Sequence, residues 1–180
     1  GNDAVVAVGA ATGARIVARR WDIEPTVNTA CCGWDDRGVG RAEGKVFSAQ
    51  LDGTLVALDQ LTGGLVWSVP VFNWREGVTL TSAPLYYNGV VYVGSTGGEY
   101  GFRGSITAYK ASNGDFLWRF FTVPQPGDIG GQTWAPGPLG FATGGATVWN
   151  QPSVDPSQNM LVFTNGNAAP WSCPVPRQHL

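Results

Sequence analysis

Charge is scarce in this chain. Charged residues make up 13% of its 180 positions, 11 Lys and Arg against 13 Asp and Glu, for a formal net charge of −2. That excludes the basic footprint of a nucleic-acid-binding protein and offers no attraction to an anionic membrane surface. Long apolar runs are missing too, since no stretch approaches the roughly 20 residues a membrane-spanning helix needs. Cysteine stops at three (Cys31, Cys32 and Cys173), an odd count that suits no disulfide framework. No secretory leader precedes the strand-like run Ala4-Val5-Val6-Ala7-Val8; the expectation is a leader outside this fragment, not a cytoplasmic protein. What is abundant is Gly (26), Pro (12) and Trp (8). Aromatic richness argues against disorder, and so many glycines argue against a helical bundle. Short strands joined by Gly-rich turns remain.

The strands repeat. The segment Gly44–Asp59 reads as a hairpin, two apolar strands flanking the turn Leu51-Asp52-Gly53. A second turn, Gln60-Leu61-Thr62-Gly63-Gly64, leads into a strand ending on Trp67. Asn88–Gly94, Ser105–Lys110 and the turn Ala111-Ser112-Asn113-Gly114 repeat the phrase and close on Trp118. A weaker copy, Ala11-Thr12-Gly13-Ala14, carries Val17 where Trp would stand, and a further unit starts at Ser153. The turn glycines at 13, 63 and 114 set a period of 50 to 51 residues. Such a period, with four strands per unit, is the mark of β-propeller blades. The expected fold is all-β, a partial propeller of about three to four blades over residues 1–171, followed by an atypical tail at 172–180 that is a truncation or a reading-frame artefact. Trp67 and Trp118 are expected to pack between blades.

Four segments interrupt the repeat, and interruptions are where function collects. Cys31-Cys32-Gly33 is an adjacent pair. Joined, the two cysteines would form a hard, flat sulfur surface that needs an oxidising compartment; unjoined, they are small hydrophobes. Arg37 follows as a cation suited to a carboxylate. Ser95–Gly104 contains Gly97-Gly98, which lets a ligand near the backbone, and Glu99, a hard-metal ligand or a solvated acid. Gly144–Trp149 offers an indole outside the repeat position, a stacking platform or a core residue. Asn165–Trp171 offers amide oxygens beside a strand, for a metal or an ordinary turn. Together these would clamp a flat, polyanionic, carbonyl-bearing molecule beside a metal ion.

The ordered set Cys31-Cys32…Arg37, Thr79–Pro84, Gly97–Gly104, Gly144–Trp149 and Gly166–Trp171 resembles the PQQ-dependent alcohol and methanol dehydrogenases. The resemblance covers residue 4 to Trp171 and implies part of an eight-bladed propeller holding pyrroloquinoline quinone on its axis. It implies that Cys31 and Cys32 form a vicinal disulfide on one face of the quinone and that Trp149 covers the other. It gives Arg37, Thr81, Thr96, Gly97 and Gly98 as cofactor contacts, and Glu99 and Asn167 as ligands of Ca2+ or a lanthanide. The metal would polarise the reacting carbonyl as a Lewis acid. The family's base Asp lies in a later blade. Asp35, Asp36, Asp128 and Asp155 do not match its motif, so the fragment is expected to be inactive alone. Gly33 departs from the Asp that members commonly carry there, and Cys173 and His179 in the tail receive no role.

The implied activity is oxidation of a primary alcohol to an aldehyde, with electrons passed to a c-type cytochrome in the periplasm of a bacterium. A homodimer or an added small subunit fits the full-length protein, and nucleic acid is not an expected partner. Arg119–Pro124 resembles the general alcohol branch more than the methanol branch. A sugar-oxidising quinoprotein ranks below both, for lack of the cysteine pair. The rival reading is a non-catalytic Trp-repeat propeller that serves as a scaffold, which would have no need of adjacent cysteines or of Glu99 with Asn167.

Overall fold

The computed structural model describes residues 4–28, 33–133 and 141–169. Cys31, Cys32, Trp171 and the tail at 172–180 lie outside them. Among these described residues twelve strands form: β1 (Ala4–Val8), β2 (Arg15–Arg20), β3 (Val39–Ala42), β4 (Lys45–Ala49), β5 (Thr54–Asp59), β6 (Leu65–Pro70), β7 (Leu85–Tyr87), β8 (Val90–Gly94), β9 (Ser105–Lys110), β10 (Phe116–Phe121), β11 (Ser153–Asp155) and β12 (Met160–Val162). Among the described residues there is no α-helix, only three short 3-10 turns. The strands make two complete antiparallel blades, β3-β4-β5-β6 and β7-β8-β9-β10, flanked by the hairpins β1-β2 and β11-β12. The fold is a partial β-propeller. Its strands would fill three blades, yet they are shared among four sheets, because the repeat fixes the length of a unit and not the strand at which a blade begins.

The core lies between blades. Phe47, Leu55, Ala57 and Trp67 of the first complete blade pack with Val91, Val93, Tyr109 and Ala111 of the second, with Leu80 from the connection. Middle strands covered on both faces read as apolar runs, such as Leu55-Val56-Ala57-Leu58, all buried. Trp67 sits within β6, which continues to Pro70 beyond the point where the sequence pattern would end it. It is 8% exposed, and its indole N–H donates to the Ala111 carbonyl at 3.1 Å, which fixes it against the β9–β10 turn of the next blade. Val17 packs at the corresponding place one blade earlier, against Gly63, by van der Waals contact alone. Trp118 differs. It is 41% exposed and contacts Tyr92 at 5.8 Å, since among the described residues no corresponding turn of a following blade covers it. Arg119 pins the two blades: its Nε donates to the Thr107 hydroxyl, Nη2 to the Val71 carbonyl, and the guanidinium lies 4.1 Å from the Phe72 ring.

Strand alternation decides where loops can meet. Antiparallel order places the β1–β2, β3–β4, β5–β6, β7–β8, β9–β10 and β11–β12 turns at one end of the sheets. The β4–β5 and β8–β9 connections, the crossings between sheets, and the segment after β12 emerge at the other end. Every candidate site residue among the described residues falls on that second end.

Candidate functional site

The loops at this end are stitched to one another. Thr79 and Thr96 form an antiparallel bridge with N–H···O distances of 3.0 and 2.9 Å. Arg103 bridges Gly145, and Gly145 bridges Ala168. Four segments thus become one ladder: the β6–β7 crossing, the β8–β9 insertion, the β10–β11 crossing and the run after β12. In the first complete blade the β4–β5 connection is a tight turn around Gly53; in the second, the corresponding connection runs from Ser95 to Gly104. Gly97 makes that longer path feasible. Its φ is +117°, and a Cβ there would overlap the Gly77 carbonyl oxygen at 1.9 Å. Glu99 follows in a 3-10 turn (Gly98–Tyr100) that presents it to solvent.

The ladder closes around a cleft of about 250 Å³, lined by Asp35, Arg37, Thr81, Thr96, Glu99, Thr147, Trp149 and Asn167. Six of the sequence-predicted residues are therefore brought together: Arg37, Thr81, Thr96, Glu99, Trp149 and Asn167. Gly98 stands behind them, where a Cβ would lie 3.3 Å from the Thr147 hydroxyl. Cys31 and Cys32 fall outside the described residues, six and five positions before Arg37.

The polar wall is a relay. The Arg37 N–H donates to the Thr81 carbonyl at 3.0 Å, and Nη1 donates to the Thr81 hydroxyl. The Thr81 and Thr96 hydroxyls are 2.9 Å apart, and both residues are buried. Arg37 Nη2 pairs with Asp35 at 2.9 Å, and the guanidinium sits over the Trp149 ring, 5.1 Å from its centroid. Trp149 is 37% exposed. The Gly166 backbone lies against its pyrrole edge, where a Cβ would fall 2.8 Å from Nε1.

Two lining residues escape the sequence reading. Thr147 lies within the Gly144–Trp149 segment, two positions before Trp149. In an extended run the two share a face, while Val148 between them is fully buried and touches Gly94. That spacing was the available signal. Asp35 had none, because its role comes from where Arg37 folds.

The chemistry of this donor set suits a flat anion. One cation, three hydroxyls and an indole converge, with two acids in the same lining, Glu99 and the Asp35 that pairs with Arg37. Glu99 and Asn167 add hard oxygen donors. Ca2+ takes six to eight oxygens, and among the described residues no three His, Cys, Asp or Glu side chains converge as a closed cage. Glu99 and Asn167 are thus two oxygen donors on one open cleft, fewer than a metal ion needs by themselves.

Fold and cleft together define a Trp-repeat β-propeller with a recess at its loop-bearing end. A family model named PQQ_2, described as outer membrane protein assembly factor BamB, matches residues 1–135. The chain is 38% identical to the quinohemoprotein alcohol dehydrogenase of Comamonas testosteroni, over 93% of this chain and 25% of that protein. A crystal structure under that name superposes with a TM-score of 0.86 at 38% identity, over 94% of this chain and 27% of the other. The quinohemoprotein alcohol dehydrogenase ADH IIB of Pseudomonas putida is 35% identical, over 93% of this chain and 26% of its own length. A structure titled europium-containing methanol dehydrogenase gives a TM-score of 0.83 at 30% identity, over 92% of this chain and 32% of that one. The chain spans about a quarter of the length of the curated relatives it matches. It belongs to the PQQ_2 repeat family and, within it, is a partial chain of the quinoprotein alcohol and methanol dehydrogenase family.

Proposed function

We propose that this chain is the cofactor-cradling part of a quinoprotein alcohol dehydrogenase that oxidises primary alcohols to aldehydes. The observation that carries the reading is the convergence of Arg37, Thr81, Thr96, Glu99, Trp149 and Asn167, drawn from separate loops, on one cleft. Arg37 would hold a carboxylate of pyrroloquinoline quinone; the Thr81, Thr96 and Thr147 hydroxyls and the Gly97-Gly98 backbone would direct hydrogen bonds to its carbonyl and carboxylate oxygens. Trp149 would cover one face, and Cys31 with Cys32, joined as a vicinal disulfide, the other. Glu99 and Asn167 would hold Ca2+ or a lanthanide. When bound, the quinone supplies the two-electron acceptor and the ion the Lewis acidity that polarises its reacting carbonyl.

The side chains of this cleft bind, orient and screen; they do not supply the base. Asp35 is paired with Arg37, so the carboxylate that takes the alcohol proton is proposed to come from another blade. The relatives' names, quinohemoprotein alcohol dehydrogenase and alcohol dehydrogenase (quinone) dehydrogenase subunit, support a c-type cytochrome as electron acceptor and an assembly with other subunits or domains. A periplasmic location, reached through a leader, follows from the proposed disulfide. The description of the matching family model favours a second reading, a propeller that serves in assembly. Glu99 and Asn167 in one recess with Trp149 argue against it, since a scaffold needs no such set.

The test uses the full-length protein reconstituted with pyrroloquinoline quinone and Ca2+ or La3+. Glu99→Ala and Asn167→Ala should each abolish alcohol-dependent dye reduction, with added metal failing to restore it. Activity that survives both changes rules out the metal assignment.

A further inference from the structure

Asp35 has no assigned role, yet it lies at the centre of the cleft's electrostatics. Its carboxylate is 2.9 Å from Arg37 Nη2, and it lines the same recess. Arg37 Nη1 is taken by the Thr81 hydroxyl and lies 3.5 Å from the Thr81 carbonyl. The indole of Trp149 lies beneath the guanidinium. Three groups therefore hold one cation. Building on the functional reading above, we propose that Asp35 is an affinity-setting residue of the cleft, a resident carboxylate that competes with an anionic planar ligand for Arg37 and so sets how tightly the cleft binds it.

A guanidinium offers a carboxylate its strongest grip through two parallel N–H bonds. With Nη1 on Thr81 and Nη2 on Asp35, an incoming carboxylate must either dislodge Asp35 or share a donor beside another negative charge. Removing Asp35 has two opposed effects. It ends the competition, and it loosens Arg37. The first should prevail, because Arg37 keeps the Thr81 hydroxyl, the Trp149 ring and its backbone bond to Thr81 at 3.0 Å. The side chains of the pair are 38% and 39% exposed, so the competition is moderate, about fivefold in affinity.

The experiment measures binding and does not depend on turnover. Full-length, cofactor-free protein is titrated with pyrroloquinoline quinone at fixed Ca2+ by equilibrium dialysis. Asp35→Asn should bind about fivefold more tightly, Asp35→Glu should stay near wild type because it restores the competitor, and Arg37→Ala should bind far more weakly. Asp36→Asn removes the same charge one residue away, from a carboxylate that accepts the Gly38 N–H at 2.8 Å; it should leave affinity unchanged. Affinity of Asp35→Asn equal to or weaker than wild type, or an equal gain in Asp36→Asn, overturns the proposal and leaves the functional reading standing. Wild-type protein that fails to bind the quinone, or binds it equally well without Arg37, overturns the functional reading and this proposal with it.

Discussion

The contact between blades can be isolated with one methyl group. Gly114 lies in the β9–β10 turn at φ +79°, and a Cβ there would fall 2.9 Å from Trp67 Cε3, 3.0 Å from Val69 Cγ1 and 3.1 Å from Trp67 Cδ2. Gly89, in the β7–β8 turn, has nearly the same φ (+81°) and nothing within 4 Å of the added carbon. Gly89→Ala therefore carries only the left-handed backbone cost, about 1–2 kcal/mol. Gly114→Ala carries that cost plus overpacking of about 1–3 kcal/mol. Trp67 cannot retreat, because its indole N–H is held by the Ala111 carbonyl and its ring lies 5.8 Å from that of Phe47. Urea unfolding followed by circular dichroism should show the larger loss of midpoint for Gly114→Ala, with an unchanged slope. In a Trp67→Phe background the extra penalty should shrink without vanishing, since the smaller ring relieves the contact at Trp67 Cε3 and the one at Val69 Cγ1 remains. Equal losses for the two alanine variants would refute the claim that this Gly–Trp contact ties one blade to the next.

Two further outcomes follow from the same geometry. Thr81→Val, at a buried site, should cost about 1–3 kcal/mol, because it leaves the Thr96 hydroxyl without its 2.9 Å partner; in thermal denaturation the Thr81→Val, Thr96→Val double variant should lose less than the sum of the two singles. Acid stability should follow the turn aspartates. Asp59 is held below its ordinary value of 3.8 chiefly by the Thr62 N–H, Asp115 by the Asn113 amide and Asp155 by the Ser157 hydroxyl. A native value below the unfolded one means that their stabilisation is complete above about pH 4 and is lost as pH falls through the native values. Thermal midpoints measured against pH should therefore decline below about pH 4, and the triple Asp→Asn variant should decline less steeply there.

The scaffold was legible because it repeats. Gly13, Gly63 and Gly114 recur at one period, and all three adopt positive φ. Even Val17, where the pattern breaks, packs against Gly63 as Trp67 packs against Gly114. The site was legible as a set of interruptions, and alternation of strand direction explains why residues so far apart in sequence share one end. Other features depend on three-dimensional placement. The division into two whole and two half blades follows from where strands pair, which a period does not specify. Asp35 pairs with Arg37 two positions on, but it enters the cleft because Arg37 is held by the Thr81 carbonyl and hydroxyl of the β6–β7 crossing, a contact that no local pattern specifies. Trp118 reads like Trp67 in sequence, and its exposure depends on what stands beside β10.

The contrast between the two complete blades bears on how the family match and the dehydrogenase relatives can both hold. Both blades supply the same strands, the same turn glycines and the same apolar middle strands, and those are what a repeat-family model detects. They differ in one connection. The first blade passes from β4 to β5 by a short turn at Gly53, while the second spends Ser95 to Gly104 on the same step and places Thr96 and Glu99 in the recess. The longer path is held at its base by the Thr79–Thr96 bridge and farther along by Arg103 against Gly145, so it is a built wall and not a slack loop. A fold shared with assembly factors thus does not decide activity in either direction. The distinction rests on this insertion and on Trp149 opposite it, and substitutions that discriminate enzyme from scaffold must fall there, since changes to the repeated strands would damage either protein alike.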